Sequence, residues 1–169
     1  MFAPHTVETA PEGSRATMAA MADTWGGVVP DAVARLAASP ELLTGFLDMT
    51  ARFDQCTLDP IAREVVIMTV AVHNDCHICI AQHAGKLRKL GGAPELVAAL
   101  RERRALADER LEAVREFTLA VMAAAGGMDS SAVEAFSAHG YTERNALEVV
   151  LGVGTYTIST FANRLVRAV

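Results

Sequence analysis

Between Glu64 and His83 the chain carries a spacing that one straight helix cannot use. The run reads Glu-Val-Val-Ile-Met-Thr-Val-Ala-Val-His-Asn-Asp-Cys-His-Ile-Cys-Ile-Ala-Gln-His. It holds a carboxylate, two cysteines three apart and a histidine four residues after the second cysteine. Glu64 and Cys76 are twelve residues apart, about 18 Å of rise along an α-helix. Asn74 and Asp75 are poor helix-interior residues and good N-caps, so a reversal is expected at residues 73 to 75, with Cys76 the first or second residue of a new helix. Glu64 then lies about ten residues before the turn and His83 about nine after it. In an antiparallel helical hairpin the two stand at nearly the same height, and a buried Glu64–His83 contact follows.

Punctuation along the rest of the chain predicts further helices. Ser14 is a candidate cap for a helix reaching Trp25, stopped by Gly26-Gly27. Pro30 or Asp31 opens a short helix to about Ala38, and Ser39-Pro40 opens another to about Asp54. Asp59-Pro60 is a strong cap and first-turn pair for a helix through Val72. Later helices are expected from Pro94 to Arg104, Asp108 to Ala125, Ser130 to His139 and Thr142 onward. Val65 to Val72 is rich in β-branched residues and by propensity alone could be a buried strand. The Asp-Pro start, the length back to residue 59 and the lack of any other convincing strand favour helix. The fold class is therefore read as all-α, one domain over residues 14–169 after a loose lead-in at 1–13. A faint echo repeats Glu64-Val65-Val66 as Glu148-Val149-Val150. In that second copy Thr160, Asn163 and Arg167 stand where Cys76, Cys79 and His83 stand in the first.

A chain of 169 residues buries about two thirds of its extended surface as one domain. Its net charge of -5 lacks the clustered basic excess of a nucleic-acid footprint. Lys86, Arg88, Lys89 and the later Arg101, Arg103, Arg104 are read as solvated helix faces. No apolar run is long enough for a membrane span, and the first residues do not look like a signal peptide. A cytoplasmic, reducing setting is expected, where a Cys-x-x-Cys is catalytic or metal-binding rather than structural. With 51% apolar residues, a homo-oligomer docked through the apolar faces of Val65–Val72 and Leu147–Phe161 is expected, with Gly152, Gly154 and Ser159 allowing close helix approach.

The four motif residues suggest thiol redox chemistry. Glu64 orients His83, and His83 takes the proton of Cys79, the nucleophile. Cys79 attacks a peroxide oxygen to give a sulfenic acid, and Cys76, nearer the helix tip and more accessible, condenses with it to a disulfide. His73 is a possible auxiliary in substrate or proton access. His77 is expected to face solvent, His139 to end a helix, and Cys56 to be a bystander thiol. No cofactor or metal is required. Zinc is the rival reading, since His73, Cys76, Cys79 and His83 are all ligand types. Spread over about 15 Å of helix, four cannot converge on one ion, but binding through Cys76, Cys79 and His83 stays open. Covalent haem is excluded, because Ile80 rather than histidine follows Cys79.

Glu64-(x11)-Cys76-(x2)-Cys79-(x3)-His83 resembles the core motif of the carboxymuconolactone decarboxylase superfamily, in its alkylhydroperoxidase D-like, peroxidase-related branch. The flanks Asp59-Pro-Ile-Ala-Arg-Glu64, Gly27-Val-Val-Pro30 and Ser39-Pro40-Glu-Leu-Leu43 are similar too. The resemblance implies an all-helical bundle, trimers or hexamers, and thiol-dependent alkyl hydroperoxide reduction with the second cysteine, Cys79, peroxidatic. It also implies a dithiol reductant, such as a lipoyl-bearing protein. Cofactor-free lactone decarboxylases of the same superfamily are the alternative, but they generally lack the cysteine pair present here.

Overall fold

The computed structural model describes residues 2–168, and among these all regular structure is helical. Nine helices follow one another: α1 Glu12–Thr24, α2 Asp31–Leu36, α3 Pro40–Asp54, α4 Pro60–His73, α5 His77–Lys89, α6 Pro94–Arg101, α7 Glu109–Ala123, α8 Ser130–Ala138 and α9 Glu143–Val166. The all-α expectation holds.

The core is built around α4. Asp59 accepts a hydrogen bond from the Ala62 amide at 2.9 Å and Pro60 takes the first helical position, so the β-branched run 65–72 is started as a helix. Every residue from Glu64 to Val72 is buried. A helix apolar all round needs neighbours on all sides, and α5, α7 and α9 supply them, with α6 along one flank. This corrects one expectation: the Val65–Val72 surface is consumed inside the chain and offers nothing to a second subunit.

The outer face of α9 differs. Leu147, Val150, Ile158, Phe161 and Leu165 are exposed, Leu147 by 71% and Leu165 by 67%. Their steps of three, four or eight residues put them on one helical stripe. Its inner face packs on α3, α4 and α7. Gly152 is on that inner face: a Cβ there would meet Phe53 ring carbons at 2.8 Å and Val66 Cγ1 at 2.9 Å. The glycine thus admits Phe53 of the same chain rather than a neighbouring subunit.

At the N-terminal side Ala10, Met18, Leu36, Ala37, Leu43, Ala162 and Val166 form a second small core. Segment 2–10 is held there, with the His5 amide on the Ala34 carbonyl at 2.9 Å. Pro11 rather than Ser14 precedes α1, and the buried Ser14 hydroxyl donates to the Ala37 carbonyl at 2.8 Å.

Candidate functional site

Two helix ends share the turn that carries the cysteines. The Asp75 amide donates to the Val72 carbonyl at 3.2 Å and the Cys76 amide to the Ala71 carbonyl at 3.0 Å, with Asp75 at φ 54°. This is a Schellman closure of α4, with an aspartate tolerated in the left-handed position. The next residue, Cys76, is already the N-cap of α5. The reversal is where the spacing put it, shifted one residue later than expected, since His77 is the first helical residue.

The hairpin brings Glu64 and His83 together. His83 Nδ1 donates to Glu64 Oε2 at 2.8 Å, and the carboxylate is 1% exposed. With the proton held on Nδ1, Nε2 is the nitrogen left to accept one. The other carboxylate oxygen, Oε1, takes Lys86 Nζ at 2.9 Å, while that ammonium also stands 3.6 Å from Asp54. Burial alone would raise the Glu64 carboxyl, but His83 and Lys86 outweigh it and hold it below the usual carboxylate range. Lys86 had been read as part of a solvated face. It is a partner of the buried acid, for which an i+3 step after His83 was the available signal. Tyr156 closes the group from α9, its ring edge-on to the His83 ring at 5.3 Å between centroids.

Cys76 and Cys79 are both buried, at 1% and 4% exposure. Cys76, expected to be the more accessible of the two, thus has no larger exposed surface than Cys79. The two thiols hydrogen-bond to each other. The Cys79 S–H donor draws Cys76 down to about 7 against the penalty of burial, with the Cys79 backbone amide, Arg164 and Asn163 adding to the effect. An N-cap thiolate at the positive end of α5 is what these donors favour. Cys79, holding the shared proton and buried, is raised. The pair sheds its first proton near neutrality and keeps the second.

Residues on α9 complete the surroundings, and the sequence did not single them out as chemical. Asn163 Nδ2 donates to Cys79 Sγ at 3.3 Å, and its Oδ1 is buried without a partner. Ser159 also stabilises the Cys79 thiolate. Asn74 Nδ2 donates to Thr160 Oγ1 at 2.9 Å, and Arg164 is bonded to the Asn74 carbonyl. The faint repeat had placed Thr160 and Asn163 opposite the cysteines in register. In space Asn163 meets Cys79, and Thr160 meets the turn before Cys76. The repeat's Glu148 has no histidine and instead receives the Thr57 and Leu58 amides at 2.8 and 3.0 Å, tying α9 to the loop before α4.

The remaining candidates lie apart from this geometry. His73 is exposed at the end of α4 and lines two clefts that contain no cysteine. The His77 side chain is 88% exposed, 4.0 Å from Asp75. His139 ends α8, its ring on the Ala135 carbonyl. Cys56 is partly buried beyond α3, its thiol raised by burial and by Glu148. Among the described residues no three His, Cys, Asp or Glu side chains are grouped to hold a metal ion, and no helix is long and apolar enough to cross a membrane.

The carboxymuconolactone decarboxylase family model matches residues 37–120, the stretch containing α3 to most of α7. Comparison with curated proteins finds no match. Among solved structures, the alkylhydroperoxidase AhpD core of an uncharacterized peroxidase-related protein from Ralstonia eutropha JMP134 superposes with a TM-score of 0.84 at 20% identity, covering 97% of this chain and 88% of that one. A protein of unknown function from Agrobacterium tumefaciens, described as a putative antioxidant defence protein AhpD, gives 0.66 at 19%, covering 78% and 90%. The debrominase Bmp8 gives 0.78 at 15%, covering 100% and 91%. At these identities the likeness is one of fold; with the family match, it places the chain in the carboxymuconolactone decarboxylase superfamily, with the alkylhydroperoxidase D-like helical fold.

Proposed function

We propose that the protein is a thiol-dependent hydroperoxide reductase acting on alkyl hydroperoxides through a Cys76/Cys79 dithiol–disulfide cycle. The observation that carries this reading is the 2.8 Å Glu64–His83 bond, with His83 on the same helix as Cys79 and one turn on from it, and the Cys79 thiol hydrogen-bonded to Cys76. One proton leaves the pair near neutrality. A shift of the shared proton from Cys79 to Cys76, or its uptake by His83 Nε2, then makes Cys79 the thiolate, received by the Asn163 amide and Ser159. Cys79 attacks the peroxide's distal oxygen and the O–O bond breaks; the alkoxide takes a proton, giving alcohol and a Cys79 sulfenic acid. Asn163 Oδ1 offers a buried acceptor for the new S–O–H. Cys76 attacks the Cys79 sulfur and water leaves, so dithiol plus hydroperoxide gives disulfide, alcohol and water. Glu64 and Lys86 keep the His83 ring in one tautomer throughout. A dithiol reductant closes the cycle. Nothing in the lactone-decarboxylase alternative would require the paired thiols.

Treatment of the reduced protein with one equivalent of tert-butyl hydroperoxide is expected to give a loss of about 2 Da confined to the Cys76–Cys79 peptide, leaving Cys56 free. Cys79→Ser should abolish peroxide consumption, while Cys76→Ser should still trap one sulfenic acid on Cys79. Sulfenate trapped on Cys76 instead would exchange the two roles. Since a debrominase shares the fold, a brominated pyrrole is the control substrate. Its turnover without hydroperoxide turnover would assign the pair's two electrons to a carbon–halogen bond.

The apolar stripe of α9 is, on the same reading, the contact between copies of the chain. Light scattering at micromolar concentration should give a multiple of 17.9 kDa, and Phe161→Glu should reduce it; a monomer for the unmutated protein removes this assignment.

A further inference from the structure

A cavity of about 260 Å³ opens on Cys76 and not on Cys79, and its other polar lining residues are Asp75, His77, Asn163, Arg164 and Arg167. The cycle described above uses neither arginine. Arg164 is pinned by its bond to the Asn74 carbonyl. Arg167 ends α9 in the left-handed conformation, φ 54°, and is exposed. Asp75 is the one acidic side chain among the described lining residues. Two guanidinium groups against one carboxylate is an unusual local balance in a chain of net charge -5.

That balance changes with redox state. In the reduced protein the Cys76 thiolate and Asp75 together offset Arg164 and Arg167. Once Cys76 is in the disulfide its negative charge is gone, and the described lining residues carry a net positive charge. The N-terminus of α5, whose N-cap is Cys76, adds to it. An anion is therefore favoured in the oxidised state. The next chemical step needs one, since a disulfide is opened by a thiolate.

Building on the dithiol cycle proposed above, we infer that this cavity is the docking site of the reductant and that it selects a small dithiol that also carries a carboxylate. One thiolate of that reductant attacks Cys76 Sγ. The Cys76–Cys79 bond breaks, and the electron pair leaves on Cys79, where the Asn163 amide 3.3 Å away receives the charge. The reductant's second thiol, deprotonated, attacks its own sulfur in the mixed disulfide. A cyclic disulfide departs, and the two protons of the reductant end on the Cys76/Cys79 pair and solvent. Two electrons pass from reductant to protein. A dithiol borne on a protein through an amide lacks the carboxylate and gains nothing from the arginines.

The test uses the whole protein oxidised with diamide, so it does not depend on the natural oxidant. Reduction of the disulfide is followed by stopped flow with dihydrolipoate and with dihydrolipoamide, the same dithiol with and without the charge. At low ionic strength dihydrolipoate should react about tenfold faster, the low end of electrostatic steering. The ratio should fall toward one in Arg167→Gln and at about 0.5 M salt, where screening is strong. Arg167 is the safer variant, since Arg164 also supports the turn. Equal rates for the unmutated protein, or a preference undiminished in Arg167→Gln, would overturn the inference; the first would favour a neutral, protein-borne dithiol. Charge-selective reduction together with no hydroperoxide turnover would uphold the cavity assignment and sink the proposed oxidant instead.

Discussion

Glu64→Gln is expected to lower hydroperoxide turnover at pH 7 by roughly a hundredfold, the lower range for a positioned proton-transfer group. Glutamine keeps the shape but removes the charge shared by His83 Nδ1 and Lys86 Nζ, at 2.8 and 2.9 Å. The ring can then turn, and Nε2 loses its fixed role as acceptor. The defect should shrink at alkaline pH. In the unmutated protein turnover is expected to rise as pH passes through about 7, where the Cys76 thiol is drawn down by its donors. Above that value hydroxide replaces what the relay supplies, so mutant and wild-type rates converge. Equal slowing at every pH would reduce Glu64 to a packing residue. Stability gives an independent readout. The Glu64 carboxyl is held below its usual range in the folded state. Its ionic contribution is thus present above the unfolded value of about 4.3 and is lost as pH falls through the folded one. Chemical denaturation should show wild type and Glu64→Gln furthest apart near neutrality and drawing together in acid.

The largest expected effect on stability comes from Gly152→Val. A Cβ at 152 already meets Phe53 and Val66 at 2.8 to 2.9 Å, and valine adds two further methyl groups. Overpacking of this kind costs about 1–3 kcal/mol, against less than about 1 kcal/mol recovered by replacing a helical glycine. Near the upper end the net cost is about 2–3 kcal/mol, and the melting temperature should fall by about 4–12 °C for a chain of this size. The strain has a route to the chemistry. Phe53 packs on Tyr156 at 5.9 Å and Tyr156 on His83 at 5.3 Å. Phe53→Leu combined with Gly152→Val should recover part of the loss. Strictly additive losses on thermal denaturation would show that Phe53 is not what the glycine accommodates.

What the sequence made legible was local or periodic. The Glu64–His83 pairing could be read because a turn at 73 to 75 puts both at one height, and helical repeat does the rest. The helix at 65–72 could be read against its own β-branched composition because Asp59-Pro60 starts it. Lys86 was misread for a physical reason: a long cationic side chain reaches a buried carboxylate while staying 45% exposed, so pattern alone shows only its outer face. Gly152 had no signal separating a subunit contact from an aromatic ring of its own chain. Arg164 was out of reach, and Asn163 was marked only as the faint repeat's counterpart of Cys79, with no role attached. An asparagine within an apolar helix is silent until the fold shows what faces it.

Asn163 follows the sulfur it bonds by 84 residues, and that separation has a meaning in time. At about 5–20 residues per second of synthesis, the cysteine turn precedes the last helix by about 4–17 s. During that interval the turn lacks Asn163 on Cys79, Ser159 beside it and Arg164 on the Asn74 carbonyl. The nascent cysteines therefore leave the ribosome without the part of their environment that α9 supplies. The acidity that the Cys79 thiol lends Cys76 is local to the turn, but the shares of Arg164 and Asn163 are added only when the helix made last docks against the hairpin.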